Sequence, residues 1–460
     1  MALASKRIVL IIASLGSFLT PFMASSINIA LPDIGEEFSM GAILLSWVAT
    51  SYLLSSAVFL VPFGKIGDKF GRKKIYTYGI ITFVLASFGC SVSFSAGMLI
   101  FFRVIQGLGS AMLFSTGTAI LTSAYPEKER GKAIGINTAS IYAGLTAGPS
   151  IGGVLTNLFG WRSIFAANLP LGSIVFLLIL FKLKNEWYGE KTSGFDYFGS
   201  LLYGLMLLMF TYGLSILPQY TGILFLFFGL LLSVFFIKWE LKVKEPVLNM
   251  NLFKENRKFT FSNVAAFINY GTTFAVSFLL SLYLQYIKGF NPGQTGLILL
   301  SQPVVMILFS ILAGRLSDKI ESRKISSFGL FITSLSLFTL SFINVETSIV
   351  FIVISLMVLG VGLAFFAAPN IHAIMSSVEE KFYGLTSAII GTTKVTGQMF
   401  SMAVASLIIG IYVGRSEINP QNYFLLLKSE RVTFLIFSIL CIAGVFISLA
   451  RDNTLYQKTK

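Results

Sequence analysis

The sequence predicts an all-α polytopic membrane protein, and three observations lead there. Of its 460 residues, 55% are hydrophobic and only 12% charged, with a mean hydropathy of +0.81; a soluble domain carries about 25% charged residues. Apolar stretches recur at close to the roughly 20 residues that a helix needs to cross a hydrocarbon core. Lysines and arginines collect on alternate loops between those stretches, as they do on the cytoplasmic side of membrane proteins. This composition excludes a soluble enzyme, a secreted disulfide scaffold and a disordered chain.

Taken in order, the expected spans lie near residues 8–31, 43–63, 75–94, 98–122, 133–155, 163–182, 197–216, 221–237, 259–284, 294–313, 326–344, 347–368, 385–412 and 432–450, fourteen in all. The 221–237 stretch is short, and only the weakly polar turn from Ser93 to Gly97 divides the 75–122 pair. The first apolar run is too long for a signal-peptide core and lacks a cleavage site, so Met1 to Arg7 leads into a span. With the N-terminus inside, Arg162, Lys288, Arg415, Lys428 and Arg431 fall outside and Arg103 and Lys394 fall within spans, leaving 27 of the 34 basic residues cytoplasmic. Both termini are therefore expected in the cytoplasm, with the chain in the plasma membrane. The net charge of +14 is a topology signal and not a nucleic-acid footprint. Cys90 and Cys441 each sit in an apolar stretch and are not expected to pair.

An internal repeat organises the spans. Gly64-Lys65-Ile66-Gly67-Asp68-Lys69-Phe70-Gly71-Arg72-Lys73-Lys74 follows the second span, and Gly314-Arg315-Leu316-Ser317-Asp318-Lys319-Ile320-Glu321-Ser322-Arg323-Lys324 follows the tenth. Two matching turns imply two six-helix bundles, 1–196 and 259–460, with an inserted helix pair and linker at 197–258 between them. Internal duplication around a central cavity is the architecture of secondary transporters.

The first turn matches every position of the G-x-x-x-D-[RK]-x-G-R-[RK]-[RK] motif of the major facilitator superfamily. The second keeps Gly314 and Asp318 but has Glu321 where glycine is usual. Gly144-Leu145-Thr146-Ala147-Gly148-Pro149-Ser150-Ile151-Gly152-Gly153 resembles that superfamily's antiporter motif, and Arg103-Val104-Ile105-Gln106-Gly107-Leu108-Gly109 its R-x-x-Q-G-x-G motif. With fourteen spans and Glu245-Pro246-Val247-Leu248 leading to Leu252-Phe253, the whole chain resembles the fourteen-helix drug:proton antiporter branch, which includes tetracycline and quaternary-ammonium exporters. The resemblance implies the major facilitator fold with two added helices, outward transport, and a proton as counter-substrate.

Each candidate site residue has a functional and a structural account. Asp68 either latches the turn by pairing with a neighbouring arginine or helix N-terminus, or belongs to a simple basic anchor; the resemblance favours the latch, with Gly64, Gly71 and Arg72 shaping it. Gly144, Gly148, Gly152 and Gly153 permit close helix approach, and Pro149 frees a carbonyl and permits a bend. An ionised side chain costs from about 2.5 kcal/mol upward at the bilayer centre. Arg103 must therefore face the cavity, where the resemblance implies a part in proton transfer with Gln106, or be satisfied by carbonyls of a neighbouring helix. Lys394 shares a polar face with Gln398 and Ser401 and is expected in the cavity, with helix packing as the alternative. His372 reads as a hydrogen-bonded interface residue.

Span one presents Ser14, Ser17, Pro21, Ser25 and Asn28 on one face, expected to line the cavity. The branch commonly carries an acid where this chain has Met23. All 20 acidic residues are expected at or beyond span ends, the nearest to the cavity being Asp33 at the outer mouth. Without a buried carboxylate, and with Arg103 and Lys394 inside, the cavity should repel organic cations and suit neutral, zwitterionic or anionic amphiphiles. Trp47, Tyr52, Tyr270 and Phe274 are candidates for an aromatic wall. No phosphate-binding loop, zinc-ligand cluster or hydrolase constellation occurs, so neither a cofactor nor a metal nor an enzymatic activity is expected.

These residues predict a secondary active exporter of small amphiphilic molecules, working by alternating access in exchange for protons, as a monomer in the lipid bilayer. The alternatives are an uncoupled or single-substrate metabolite or lipid exporter, and a non-transporting membrane receptor on the same scaffold.

Overall fold

The structure is a computed structural model describing residues 3–188, 196–217, 219–243, 246–248, 250–317, 320–378, 383–414 and 416–451. It is helical throughout. In chain order the helices are α1 (Leu3–Glu37), α2 (Ala42–Phe70), α3 (Arg72–Ser91), α4 (Ala96–Ala124), α5 (Glu127–Phe159), α6 (Arg162–Ala166), α7 (Asn168–Lys182), α8 (Tyr197–Ile216) and α9 (Tyr220–Glu240). There follow α10 (Met250–Glu255), α11 (Arg257–Leu282), a π-helix (Tyr283–Ile287), α12 (Pro292–Leu299), α13 (Ser301–Ser317), α14 (Ser322–Leu340), α15 (Ile349–Met375), α16 (Tyr383–Tyr412) and α17 (Tyr423–Leu449).

Local chemistry sets the ends. Ser95, Asn256 and Ser348 accept from the backbone N–H three residues on, and Asn291 with Gln294 forms a capping box followed by Pro292. Gly71, Gly160, Gly289 and Gly414 take positive φ where the chain turns. Ala42 N donates to Ser416 O and Gly41 pairs with Glu417, so the α1–α2 and α16–α17 turns lie together and the start of α1 and the end of α17 share the opposite face, called here the terminal face. Buried hydroxyls such as Ser87, Thr211 and Thr433 donate to the carbonyl four residues back, satisfying themselves inside their own helix.

The pairing pattern repeats. α1 packs along α5 as α11 packs along α16, α2 meets α4 as α13 meets α15, and α3 meets α4 as α14 meets α15. Between the two sets α8 and α9 form a hairpin, with α8 against α2 and α16.

Among the described residues eleven helices are long and apolar enough to span a membrane. The expected spans near 75–94, 133–155 and 326–344 are helical, as α3, α5 and α14, but are not among the eleven. α14 carries seven serines and threonines where its neighbours carry aliphatic residues, and α5 opens on a charged turn. One expectation is corrected outright. α17 begins at Tyr423, well before 432, so Glu430 lies two turns inside a helix and is completely buried. The cluster Lys428-Ser429-Glu430-Arg431 lowers local hydropathy without ending the helix.

Candidate transport cavity

Two neighbouring cavities lie between the helix sets, with about 450 Å³ and 770 Å³ of empty volume, sharing Leu145 and Gln398 in their walls. Thr20 and Pro21 of α1, Tyr52 of α2, Ser110 and Phe114 of α4, and Lys394 of α16 line the first. Ser25 and Asn28 of α1, Tyr142 and Pro149 of α5, Tyr270 and Phe274 of α11, and Gln302 of α13 line the second. The α1 stripe predicted from serine, proline and asparagine spacing thus supplies a wall to both. Among the described lining residues Lys394 is charged, and no carboxylate is present.

Lys394 is buried, and its ammonium lies 5.6 Å from the Tyr142 ring centroid and 5.9 Å from that of Tyr270. Two electron-rich ring faces from opposite helix sets therefore hold the cation. Asn28 is 1% exposed and its Oδ1 has no hydrogen-bond partner among the described residues. An unsatisfied acceptor in a cavity wall is a ready site for a ligand donor.

Arg103 and Gln106 line neither cavity. Arg103 donates from Nε to Val48 O of α2 at 2.9 Å and from Nη1 to Gln106 Oε1 at 2.6 Å, and it stacks 4.3 Å from the Tyr52 ring centroid. Gln106 in turn donates to Ser87 Oγ of α3 at 2.7 Å. Arg103 is thus bonded to a neighbouring carbonyl one ring behind the cavity wall, while its Nη2 has no hydrogen-bond partner among the described residues. Asp33 also lies outside both linings. Of the candidate aromatics, Tyr52, Tyr270 and Phe274 face the cavities, whereas Trp47 packs on Tyr212 of the α8–α9 hairpin, ring centroids 6.1 Å apart.

The antiporter motif wedges α5 between α1 and α12. A β-carbon on Gly144 would strike Phe18 O, and one on Gly152 would come 2.8 Å from Ser26 Cβ. Gly148 abuts the Ser25 side chain in the same way, and Gly153 abuts Pro292 O. Ser46 and Ser406 Oγ meet at 2.8 Å, Gln285 Nε2 donates to Ile29 O at 3.0 Å, and Ala42 N donates to Ser416 O at 3.1 Å. The Gly153, Ser46, Gln285 and Ala42 contacts join the two sets toward the face away from the termini, whereas Gly144, Gly148 and Gly152 seat α5 on α1 within one set. The seam is closed there, by packing that only small residues allow.

At the terminal face, Arg72 donates from Nε to Asp68 Oδ1 at 2.6 Å and from Nη1 to Ala119 O at 3.1 Å, joining the α2–α3 turn to α4. Gly71 has φ 112° and its N–H returns to Gly67 O. Gly64 packs toward Ser115. In the second copy Gly314 has open space around it, and Asp318 lies outside the described residues. His372 Nδ1 lies 3.2 Å from Ser322 Oγ. Arg451, just past α17, is buried with Nη2 donating to Asn370 Oδ1 at 2.6 Å; burial lowers its pKa to about 10. Neither Arg451 nor Glu430 was marked by the hydropathy pattern, which placed one beyond a span and the other in a loop.

Two pseudo-repeated helical sets, closed over a central cavity at one face, define a membrane transporter. The Major Facilitator Superfamily family model matches residues 13–240 and 263–459. The chain is 34% identical over 394 residues to the riboflavin transporter RibZ of Clostridioides difficile, covering 85% of each protein. It is 31% identical over 415 residues to the multidrug resistance protein Stp of Mycobacterium tuberculosis, covering 89% of this chain and 77% of that one. Among solved structures, a D-xylose-proton symporter superposes with a TM-score of 0.67 at 14% identity, covering 98% of this chain and 99% of that one. The chain belongs to the Major Facilitator Superfamily; it is a transporter and not an enzyme.

Proposed function

We propose that this transporter exports neutral, zwitterionic or anionic amphiphiles of drug or metabolite size, by alternating access and in exchange for protons. The observation that carries the proposal is the cavity itself. It joins the Lys394 ammonium, the unpaired Asn28 Oδ1 and Gln398 to a wall of Tyr142, Tyr270 and Phe274. A flat aromatic ligand would stack on the rings and use the polar groups for orientation. The multidrug relative supports breadth of substrate, and the riboflavin transporter relative supports a planar, many-acceptor molecule as one member of the range. That second relative also favours the alternative of a single-metabolite transporter.

Further parts of the proposal are topological. All fourteen segments cross the bilayer, with α3, α5 and α14 as the more polar spans packed inside the bundles, as in the fourteen-helix drug:proton antiporter branch. Residues 1–196 and 259–460 form the two rocking bundles, and 197–258 the inserted pair with its linker. The terminal face is cytoplasmic in the plasma membrane, and the chain acts as a monomer. The closed seam then faces outward, so the structure represents a state with outward access shut.

The purified chain in liposomes with an internal pH dye tests this against riboflavin, an anionic dye and ethidium. Compound-driven proton flux with riboflavin or the anion, and little with ethidium, is expected. Compound movement without proton flux removes the exchange, and strong ethidium export removes the charge selectivity.

A further inference from the structure

Behind the closed seam sits an acid that the cavity does not use. Glu430 on α17 is completely buried, and among the described residues neither carboxyl oxygen has a hydrogen-bond partner. Four elements pack against α17: α11, α14, α16 and the π-helix. The π-helix brings Tyr283, within electrostatic reach of Glu430, with its hydroxyl donating to Asn344 O at 2.6 Å. α16 brings Tyr412 at this end, engaged with Lys428 Nζ 5.4 Å from its ring centroid; its Lys394 lies in the cavity. The Arg323 and Lys324 of α14, and the Arg257 and Lys258 of α11, lie at the terminal face. Arg431 points to Ser341 O, to which it donates at 3.1 Å. Lys288, which caps the π-helix beside Tyr283, donates to Val345 O at 2.6 Å, so among the described residues the carboxyl is enclosed with each neighbouring cation engaged elsewhere.

The π-helix next to Glu430 carries two contacts of the seam. Gln285 donates to Ile29 O of α1 at 3.0 Å, and Tyr286 Oη to Pro32 O at 3.4 Å. A π-turn is a one-residue insertion into an α-helix, frequent at functional sites. Its conversion to α-helix shifts register by one residue, turning the following side chains by about 100°. Such a shift would take Gln285 and Tyr286 off α1.

We propose that Glu430 is a proton-binding group of this transporter, and that its charge state sets the seam through the π-helix Tyr283–Ile287. The assignment rests on the proton-exchange reading given above. Burying a carboxylate without partners costs far more than burying the neutral acid. Closure of the seam therefore takes one proton from water onto a Glu430 oxygen, and re-solvation of the carboxyl returns it to water. The ionised group, drawing water or the Tyr283 hydroxyl toward it, disturbs the π-turn and releases Gln285 and Tyr286.

The test measures the distance between spin labels at exposed Ser39 and Gln421, across the seam, in the full-length chain in liposomes over a pH series. For one linked proton the closed-to-open ratio rises by up to about tenfold for each pH unit of acidification. Glu430→Gln should stay closed and flat across the series, while Glu430→Asp keeps the titration. Asp33, Glu36 and Glu417 lie near Tyr286 at the seam, and Asp33→Asn with Glu417→Gln should leave the titration in place. Infrared difference spectra should show a carboxylic-acid carbonyl band that Glu430→Gln lacks. A Gln variant that elutes as a folded monomer and titrates like the parent overturns the assignment, as does a missing infrared band. Compound-driven proton flux in the parent chain separates the two readings. Flux that survives unchanged in Glu430→Gln leaves exchange standing and removes Glu430 from it; absence of flux in the parent removes the exchange itself.

Discussion

Gly153 and Gly296 seat each other's helices: a β-carbon on Gly153 would lie 2.5 Å from Pro292 O, and one on Gly296 would lie 2.5 Å from Pro149 O. The two contacts are reciprocal across α5 and α12, which belong to different helix sets, and Ser150 Oγ adds a donor to Gly296 O at 3.4 Å. The last glycine of the antiporter motif thus serves the junction between the sets, while Gly144, Gly148 and Gly152 serve the junction with α1. Closure at this face depends on backbone-to-backbone approach, which tolerates no added methyl.

Gly153→Ala and Gly296→Ala should each disfavour the closed seam. Overpacking of a tight contact costs about 1–3 kcal/mol, a shift of roughly five- to 150-fold in the closed-to-open ratio. Spin-label distances between Ser39 and Gln421 should lengthen in both variants, with the helical content unchanged. A Gly135→Ala control, with open space around its β-carbon, should leave the distances alone.

The repeat, the helix-breaking turns and the α1 wall could be read from sequence because each rests on local spacing. Ser25 and Asn28 fall on one helical face whatever the fold, and Gly71 ends a helix wherever the chain goes. The partners of the buried charges could not be read in this way. Arg103 has to find an acceptor, but Val48 O is a main-chain atom of another helix and leaves no mark in residue type. Glu430 lay hidden because Lys428 and Arg431 beside it resemble a loop, and only tertiary packing turns that segment into a buried helical turn. Trp47 shares a span with Tyr52, but its neighbour Tyr212 comes from the inserted hairpin, and residue type does not show which face of that span meets the hairpin.

Lys394 should govern substrate charge. Its ammonium sits between Tyr142 and Tyr270 with no carboxylate among the described residues of the cavity wall, leaving it available to an anionic or carbonyl group. A charge-assisted hydrogen bond contributes about 1.5–3 kcal/mol, so Lys394→Ala should weaken uptake affinity for anionic compounds about tenfold or more. The same variant should admit ethidium. Competition of anionic and cationic dyes in liposomes measures both, and an unchanged preference would return Lys394 to a packing role.

Arg103 should behave as a folding residue. Removing it strands Gln106 Oε1 at a completely buried position, at a cost of about 1–3 kcal/mol, and takes a second donor from Val48 O. Lysine cannot reproduce the forked donors or the stacking on Tyr52. Both Arg103→Ala and Arg103→Lys should therefore lower the melting temperature by several degrees or more, while the protein that folds keeps the parent's substrate affinity. A well-folded Arg103→Lys variant with altered affinity would instead put the guanidinium in the transport path.

The turn between α2 and α3 separates backbone geometry from charge. Gly71 holds φ 112°, and a β-carbon there would lie 2.7 Å from the Glu186 carboxyl carbon, whose Oε1 accepts from Lys73 N at 2.7 Å. Gly71→Ala combines left-handed strain of about 1–3 kcal/mol with displacement of that carboxylate, and should lower the melting temperature. Asp68→Asn removes one partner of a half-exposed ion pair, worth at most about 1 kcal/mol, and leaves Arg72 bonded to Ala119 O. Its stability should match the parent's. If the Asp68–Arg72 pair latches this face shut in one state and yields in the other, Asp68→Asn should nevertheless slow transport turnover, and the ratio of open to closed molecules should move at unchanged melting temperature. Equal turnover at equal stability would reduce the aspartate to part of the basic anchor.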